Sequence, residues 1–594
     1  MISSNIRKML HSTFPFLSHM KDYGKRDLQA DLYTGMTIGV LLIPQGMAYA
    51  LLAGMPVTYG LYAGLIPPIF YALFGTSPHL SVGPVAITSI LILSGISRLE
   101  SVGSPEYISL VITTGLIIGL LQLGMSVLKL GFFVNFISFP VISGFTSAAA
   151  IIIVITQLSD ILGLSIPRFE YAYNSLIYAV QNIEDTHLIT LTIFVISTGL
   201  ILLIKRLGRL WPSGLIVMII ATFLSYVVGF DQYGVEIIGE IPSGLPHFEW
   251  PVFSLNTIQR IMPTVLTMLV IGIVGSLSMA KSIETRHRYY EVRPDQELLG
   301  LGMAKIVGSF FQALPSDGSF SRSSIVSESG GRTVLSSVFA ALLVGLTLMF
   351  FTSLLYYLPL AVLSAVIVVA VVGLIDFNEA RNLWKTQRSD FMMLLFTFII
   401  TLAVGIMEGV LCGVALSIFI VLYRSTHPSV VELGQIEGTT RYRNLDRYEE
   451  ALGRDDIAIV RFDDQIFFAN AAYFKESIRQ CVNRHPAGKL KHLILDSSNI
   501  HRIDSTGIRV LREVEQELAQ NGITLYLSGV IGPVRDILYK SELLTEPDKH
   551  HMTIHEAVQF ISSESEERKV DYTKGAMQTN VIRRHKPNKG KSDD

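Results

Sequence analysis

The sequence predicts a polytopic α-helical membrane domain followed by a soluble α/β domain, and three observations predict it. The 594-residue chain is 50% hydrophobic and only 16% charged, whereas soluble domains carry about 25% charge. The deficit is uneven: residues 31–425 are apolar almost throughout, while 426–594 have a soluble composition that ends in a charged tail. Two apolar segments, at 83–97 and 320–330, are too short for a regular span of about 20 residues. Each follows a run of turn-formers, GTSPHL at 75–80 and LPSDG at 314–318.

Residues 1–30 are mixed in character and lack a signal-peptide pattern, so they read as a cytoplasmic N-terminal segment. From 31 to 425 the chain divides into about fourteen apolar segments. Loops after even-numbered segments carry Lys129; Lys205 and Arg206; Lys281 and Arg286; then Arg381, Lys385 and Arg388. Long loops after odd-numbered segments carry Asp160, Glu184 and Asp185, then Asp231, Glu236, Glu240 and Glu249. Positive charge gathers on the cytoplasmic side, so an even span count with both termini cytoplasmic is expected. The expected location is the plasma membrane, or the inner membrane in a bacterium.

The short segments are the third of each half when the spans divide seven plus seven. Corresponding interrupted helices in two halves point to a midplane site in an inverted-repeat transporter. A half-helix that ends inside the bilayer directs free N–H groups and its positive dipole end at a bound anion. In the third segment Pro84 suits a first helical turn, and Val85 and Ala86 then supply the backbone N–H groups. In the tenth, Ser319, Ser321 and Ser323 surround Arg322, a cation that is costly in an apolar segment unless it serves a function. In the first segment Gln45 and Tyr49 share one helix face. Taken alone, Gln45 reads as a contact between helices and Arg322 as a side chain reaching for the surface; facing a second half-helix, they read as an anion site.

These residues resemble the SulP anion transporters, the sulfate-permease family related to prestin and pendrin. The likeness runs from about residue 28 to 563 through IPQGMAYALLAGMPVTYGLYAGLIPP (43–68), TSPHLSVGP (76–84), DQELLGLGMAKIVGSFFQALPSDGSFSRS (295–323) and LPLAVLSAVIVVAV (358–371). The resemblance implies a seven-plus-seven inverted repeat with core and gate domains, a homodimer, and a substrate held between the third and tenth helices against the first. The carried-over site is Gln45, Tyr49, Val85, Ala86, Ser321 and Arg322. The implied activity is secondary transport of a small inorganic anion, sulfate before bicarbonate or a dicarboxylate, by alternating access. A membrane sensor or scaffold that signals through the soluble domain is the alternative of another class. Many relatives place an acid in the eighth span for proton or sodium coupling; the aligned position is Gly275, within GIVGSLSMAKS at 272–282. Exchange for a counter-anion is therefore expected over a coupling cation. Asp317, where relatives more often have Thr, reads as a turn-shaping residue, and Glu408 is another carboxylate available for coupling.

Residues 426–438 read as a linker. From 439 to 563, strand-like IAIVRF, KHLILDSS and ITLYLSG alternate with helix-like runs, which predicts an α/β sheet. LILDSSNIHRIDSTGIRVL at 493–511 resembles a STAS domain, and the resemblance makes Ser505 a candidate regulatory phosphorylation site, with a helix N-cap as its plainer role. The tail at 564–594 reads as disordered and able to touch anionic lipid. Cys412 and Cys481 lie in different parts, so neither a disulfide nor a metal site is expected. No nucleophile–base pair or phosphate loop stands out, and the net charge of −2 gives no sign of nucleic-acid binding. The chain is not expected to be an enzyme or to need a cofactor.

Overall fold

The computed structural model describes residues 14–19, 23–132, 138–167, 169, 171–208, 211–252, 254–287, 289–544 and 546–564; of the tail at 564–594, expected to be disordered, Glu564 ends a helix and the rest lies outside the described residues. The chain divides into two compact units, Met1–Ile418 and Phe419–Asp594.

The first half of the membrane unit contains α1 (Lys25–Leu52), α2 (Val57–Phe74), a two-residue strand β1 (Val82–Gly83), α3 (Ala86–Ile96), α4 (Pro105–Val127), α5 (Phe139–Thr156), α6 (Leu188–Leu207) and α7 (Ser213–Val228). The second half contains α8 (Leu255–Glu284), α9 (Pro294–Phe310), β2 (Asp317–Gly318), α10 (Phe320–Glu328), α11 (Leu335–Phe350), α12 (Leu360–Val371), α13 (Arg388–Ala403) and α14 (Ile406–Thr426). Eight helices of the described chain are long and apolar enough to cross a membrane. The third and tenth are short, with 11 and 9 residues.

The packing repeats under a shift of seven helices. Helix α1 packs on α11, and its counterpart α8 packs on α4; α2 meets α11 as α9 meets α4. Likewise α3 meets α8 as α10 meets α1, and α5 meets α13 as α12 meets α6. Helices α1–α4 and α8–α11 form one bundle. The other contains α5–α7 and α12–α14, with Gly409 and Gly413 of α14 packed tightly on Thr401 and Thr397 of α13. These are the core and gate of the expected inverted repeat. Large apolar side chains such as Leu202, Phe223 and Leu346 point outward, as lipid-facing residues do.

Close helix contacts depend on small residues. A methyl group at Gly60 of α2 would overlap the Gly46 carbonyl of α1, and one at Gly119 of α4 would lie 2.8 Å from the Gly302 carbonyl of α9. Two fully buried carboxylates hold the loops beside the half-helices. Glu297, in the first turn of α9, accepts from Thr76 N at 2.6 Å, Ser77 N at 3.0 Å, the Tyr71 hydroxyl at 2.6 Å and the Thr76 hydroxyl. Asp31 of α1 accepts from Arg332 N at 2.7 Å, Thr333 N at 3.0 Å and the Thr333 hydroxyl. Each carboxylate replaces water for backbone donors that would otherwise be orphaned in an apolar interior.

The soluble unit contains β3 (Val430–Ile436), β4 (Tyr442–Asn444), β5 (Ala451–Leu452), β6 (Ile457–Phe462), α15 (Ala471–Arg484), β7 (His492–Asp496), α16 (Ser505–Gln520), β8 (Thr524–Ser528), α17 (Gly532–Lys540), β9 (His550–His551) and α18 (Ile554–Glu564). The sheet order is β4-β3-β6-β7-β8-β9, parallel from β6 to β9 and antiparallel at β3. Side chains alternate across it. Ala458, Val460, Leu493, Leu495, Leu525 and Leu527 face α15–α17, while Ile457, Ile459, Ile494 and Tyr526 face α18.

Strand β3 lies inside 426–438, which the sequence presents as a linker. Its pattern is interrupted by Gly434, and its partners are distant in sequence, so its strand character comes from pairing with β6 and β4. Gly434 is required there, since a side chain would press on the Leu452 carbonyl at 2.8 Å.

Glu297→Ala is expected to leave several buried donors unsatisfied, each costing about 1–3 kcal/mol, and to lower the Tm of detergent-purified protein by several degrees. Glu297→Gln, which keeps an acceptor, is expected to lose less. Equal Tm values for the wild type and both variants would contradict this role.

Candidate functional site

The half-helices meet through a small ribbon. Strands β1 and β2 pair antiparallel, with Val82 opposite Gly318 and Gly83 opposite Asp317. Ser319 N adds a bond to Ser81 O at 2.9 Å, and Ser81 N donates to Ser323 Oγ at 2.8 Å. Val85 is the extended residue that caps α3, and Ala86 is its first helical residue. Ser319 holds the same position before α10. Neither cap is closed by its own side chain, so N–H groups of each first turn remain available at the ribbon.

Arg322 rises from the first turn of α10 and is fully buried. Its Nη1 donates to Gln45 Oε1 and to the Pro84 carbonyl, both at 3.0 Å, and its Nε donates to Ser81 Oγ at 3.3 Å. Its Nη2 is buried with no hydrogen-bond partner among the described residues. Gly83 leaves room for it: a Cβ there would lie 3.2 Å from Nη2. Because Oε1 of Gln45 accepts from the guanidinium, the amide orientation is fixed and its NH2 is left as the outward donor. Tyr49, one turn along α1, is buried and within electrostatic range of Arg322. Ser321 is exposed at the start of α10, with its hydroxyl 3.4 Å from that of Ser319.

The structure thus brings Gln45, Tyr49, Val85, Ala86 and Arg322 around one point and places Ser321 at its edge. Sequence reading missed Ser81 and the Pro84 carbonyl, which anchor the guanidinium. It also missed Lys305, a buried cation of α9. Lys305 Nζ lies 2.7 Å from Asp317 Oδ1, and both side chains are almost completely buried. The Thr88 hydroxyl donates to Asp317 Oδ2 at 2.8 Å. Asp317 is therefore not simply a turn former, because its carboxylate joins α9, β2 and α3. A signal was available: a lysine inside the apolar run 297–314 requires a partner. Glu408 is engaged elsewhere, 2.6 Å from Arg98 in the turn that follows α3.

Helix α8 lines the same junction. Its Ser276 Oγ accepts from Gly318 N at 2.9 Å, and a Cβ on Gly272 would lie 2.6 Å from Asp317 Oδ1. A Cβ on Gly275 would meet nothing within 4 Å.

In the soluble unit, Ser505 is exposed and is the first residue of α16, not its N-cap. Asp504 caps the helix, accepting from Gly507 N at 2.8 Å and from Phe468 N at 3.0 Å. The aspartate wins because its two oxygens can serve both donors.

Two half-helices thus close on a buried arginine whose Nη2 has no hydrogen-bond partner among the described residues. A family profile described as the sulfate permease family matches residues 28–397, and a STAS domain profile matches residues 448–557. The chain belongs to the sulfate permease family. It is 33% identical over 590 residues to the chloroplastic sulfate transporter 4.1 of Arabidopsis thaliana, covering 95% of this chain and 85% of that protein. Its fold is similar to the murine solute carrier 26 family member A9 anion transporter in the inward-facing state, with a TM-score of 0.85, 26% identity, and coverage of 94% and 95%. It is also similar to the transmembrane domain of the cyanobacterial bicarbonate transporter BicA, with a TM-score of 0.57 and 25% identity over 67% of this chain and 98% of that one.

Gly272→Ala is expected to push on the Asp317 carboxylate and lower both Tm and transport. Gly275→Ala, three residues along the same helix, is expected to leave Tm within a degree or two. Similar behaviour of the two variants would show that the α8 face does not pack as described.

Proposed function

We propose that this protein is a secondary transporter of small inorganic anions, with sulfate as its cargo, bound between α3 and α10 and released by alternating access. The observation that carries the reading is the buried Nη2 of Arg322, a charged donor with no hydrogen-bond partner among the described residues, beside two helix N-termini. A buried cation left short of acceptors is costly, and an oxyanion satisfies it at the point where the Gln45 amide and the N–H groups at Ala86 and its neighbours converge. The charge balance agrees. Lys305 neutralises Asp317, so Arg322 is left as the net charge facing the ligand. The sulfate transporters among the relatives support sulfate, and the likeness to a bicarbonate transporter keeps bicarbonate as the competing cargo.

The exchange partner is a counter-anion, because Gly275 supplies no carboxylate for a coupling ion. The chain works as a homodimer in the plasma membrane with both termini cytoplasmic. The STAS domain serves assembly or regulation, with Ser505 exposed to a kinase.

Arg322→Ala and Gln45→Ala are each expected to remove one charge-assisted hydrogen bond, worth about 1.5–3 kcal/mol, and to weaken sulfate binding tenfold or more while folded yield is retained. Isothermal titration of the purified variants reads this; wild-type sulfate affinity in both would remove these residues from the site. Uptake of labelled sulfate, bicarbonate and succinate into reconstituted vesicles reads the cargo.

A further inference from the structure

We propose that Lys305 is a tethered coupling cation: its ammonium permanently holds the place beside Asp317 that a sodium ion or proton would otherwise take, so transport runs without a cation gradient. This rests on the anion-transport reading and adds the residue that decides the coupling mode. Asp317 lies directly opposite Gly83 in the ribbon, and Gly83 lies against the Arg322 guanidinium. A bare carboxylate at that distance would oppose anion binding and would have to be neutralised in every cycle. Here both oxygens are already engaged, Oδ1 by Lys305 Nζ at 2.7 Å and Oδ2 by the Thr88 hydroxyl at 2.8 Å. The fit is close on the remaining side, because only a glycine at position 272 leaves room for the carboxylate. The pair is also joined to both half-helices: Thr88 is in the first turn of α3, and Asp317 is in the strand that leads into α10. Four elements thus share one neutralised charge at the anion site.

The test is labelled-anion uptake by vesicles containing the full chain, with and without an inward sodium gradient and then an inward proton gradient. The wild type is expected to respond less than twofold to either. Lys305→Met, which leaves Asp317 without its ammonium, is expected to slow uptake and to become stimulated at least tenfold by one of the gradients. Lys305→Met with Asp317→Asn is expected to return to gradient independence. Asp317→Asn alone leaves an extra positive charge beside the site and is expected to tighten anion binding severalfold, read by titration even if Lys305→Met folds poorly. A wild type driven strongly by either cation, a Lys305→Met variant as indifferent as the wild type, or an Asp317→Asn variant with unchanged affinity overturns the proposal. The ratio is read on whichever of sulfate or bicarbonate the wild type carries, so a wrong cargo and a wrong cation role give separate results.

A different observation, confined to the soluble unit, carries a second inference. Glu432 of β3, Cys481 of α15 and His485 at its C-cap place one ligand atom each within 4.8 Å of one another. His485 Nδ1 lies 3.2 Å from the Cys481 carbonyl, which leaves Nε2 directed to Glu432 Oε1 at 3.4 Å. Donation of the other ring N–H to a backbone carbonyl is the usual orientation of a metal-binding imidazole. The three side chains sit at a helix C-terminus, which favours a cation. A thiolate, an imidazole and a carboxylate suit zinc, with a fourth position open to water. We infer that Glu432, Cys481 and His485 form a zinc-binding site in the STAS domain; binding transfers the thiol proton to solvent and forms the sulfur–zinc bond.

Cobalt(II) is the probe, added to the purified full chain. The wild type and Cys412→Ser are expected to show a thiolate-to-cobalt charge-transfer band, Cys481→Ser to lack it, and His485→Ala to need at least tenfold more metal. Zinc is expected to displace the cobalt at one ion per chain. No band in the wild type, or a band that survives Cys481→Ser, leaves the three side chains as a hydrogen-bonded cluster and ends the inference.

Discussion

The membrane unit is organised around one constraint: a guanidinium fully buried in an apolar bundle. Burying a charge is costly unless it is paired and hydrogen-bonded. Arg322 solves this in part, with Gln45, Pro84 and Ser81 as acceptors for two of its three nitrogens. Those acceptors come from α1, from the turn before α3 and from the strand end before it. The arginine can be held only if α1, α3 and α10 meet at one place. The ribbon between β1 and β2 makes that meeting possible, since it fixes both half-helices in antiparallel register and satisfies backbone groups that lipid could not.

Charge is distributed around this point in a consistent way. Asp317 and Lys305 neutralise each other, while Asp31 and Glu297 direct their charge at backbone and hydroxyl donors in the loops around the half-helices. The carboxylates therefore stabilise the scaffold, and the Nη2 of the arginine is left without a hydrogen-bond partner among the described residues. Glycines at positions 83, 272 and 275 complete the arrangement by absence of side chain. Position 83 admits the guanidinium, position 272 admits the Asp317 carboxylate, and position 275 stays open.

The soluble unit follows a separate logic. Its sheet is buried on both faces, so its strands alternate between two apolar layers and read as continuous hydrophobic runs. Ser505 lies at an exposed helix start, and Cys481 at a buried helix end. Burial, and then the Glu432 carboxylate, push the Cys481 thiol up to about 12, so without a cation the sulfur stays protonated.

Much of this was legible in the sequence. Hydrophobic runs gave the spans, and loop charge gave their expected sense. The two shortened segments located the half-helices, because helix length against bilayer thickness is a one-dimensional quantity. Gln45, Tyr49, Val85, Ala86 and Arg322 could be picked out as candidates because each carries its own local signal, a polar or helix-starting residue in an apolar run. What the sequence could not determine depends on partners distant in the chain. The pairing of Lys305 with Asp317 joins a helix interior to a strand, Ser81 meets Arg322 across two halves of the fold, and β3 becomes a strand only beside β6. Composition and periodicity record what a residue is and which face it occupies. Which charge neutralises which, and which donor is left without a partner among the described residues, is decided only when the two repeats close on each other.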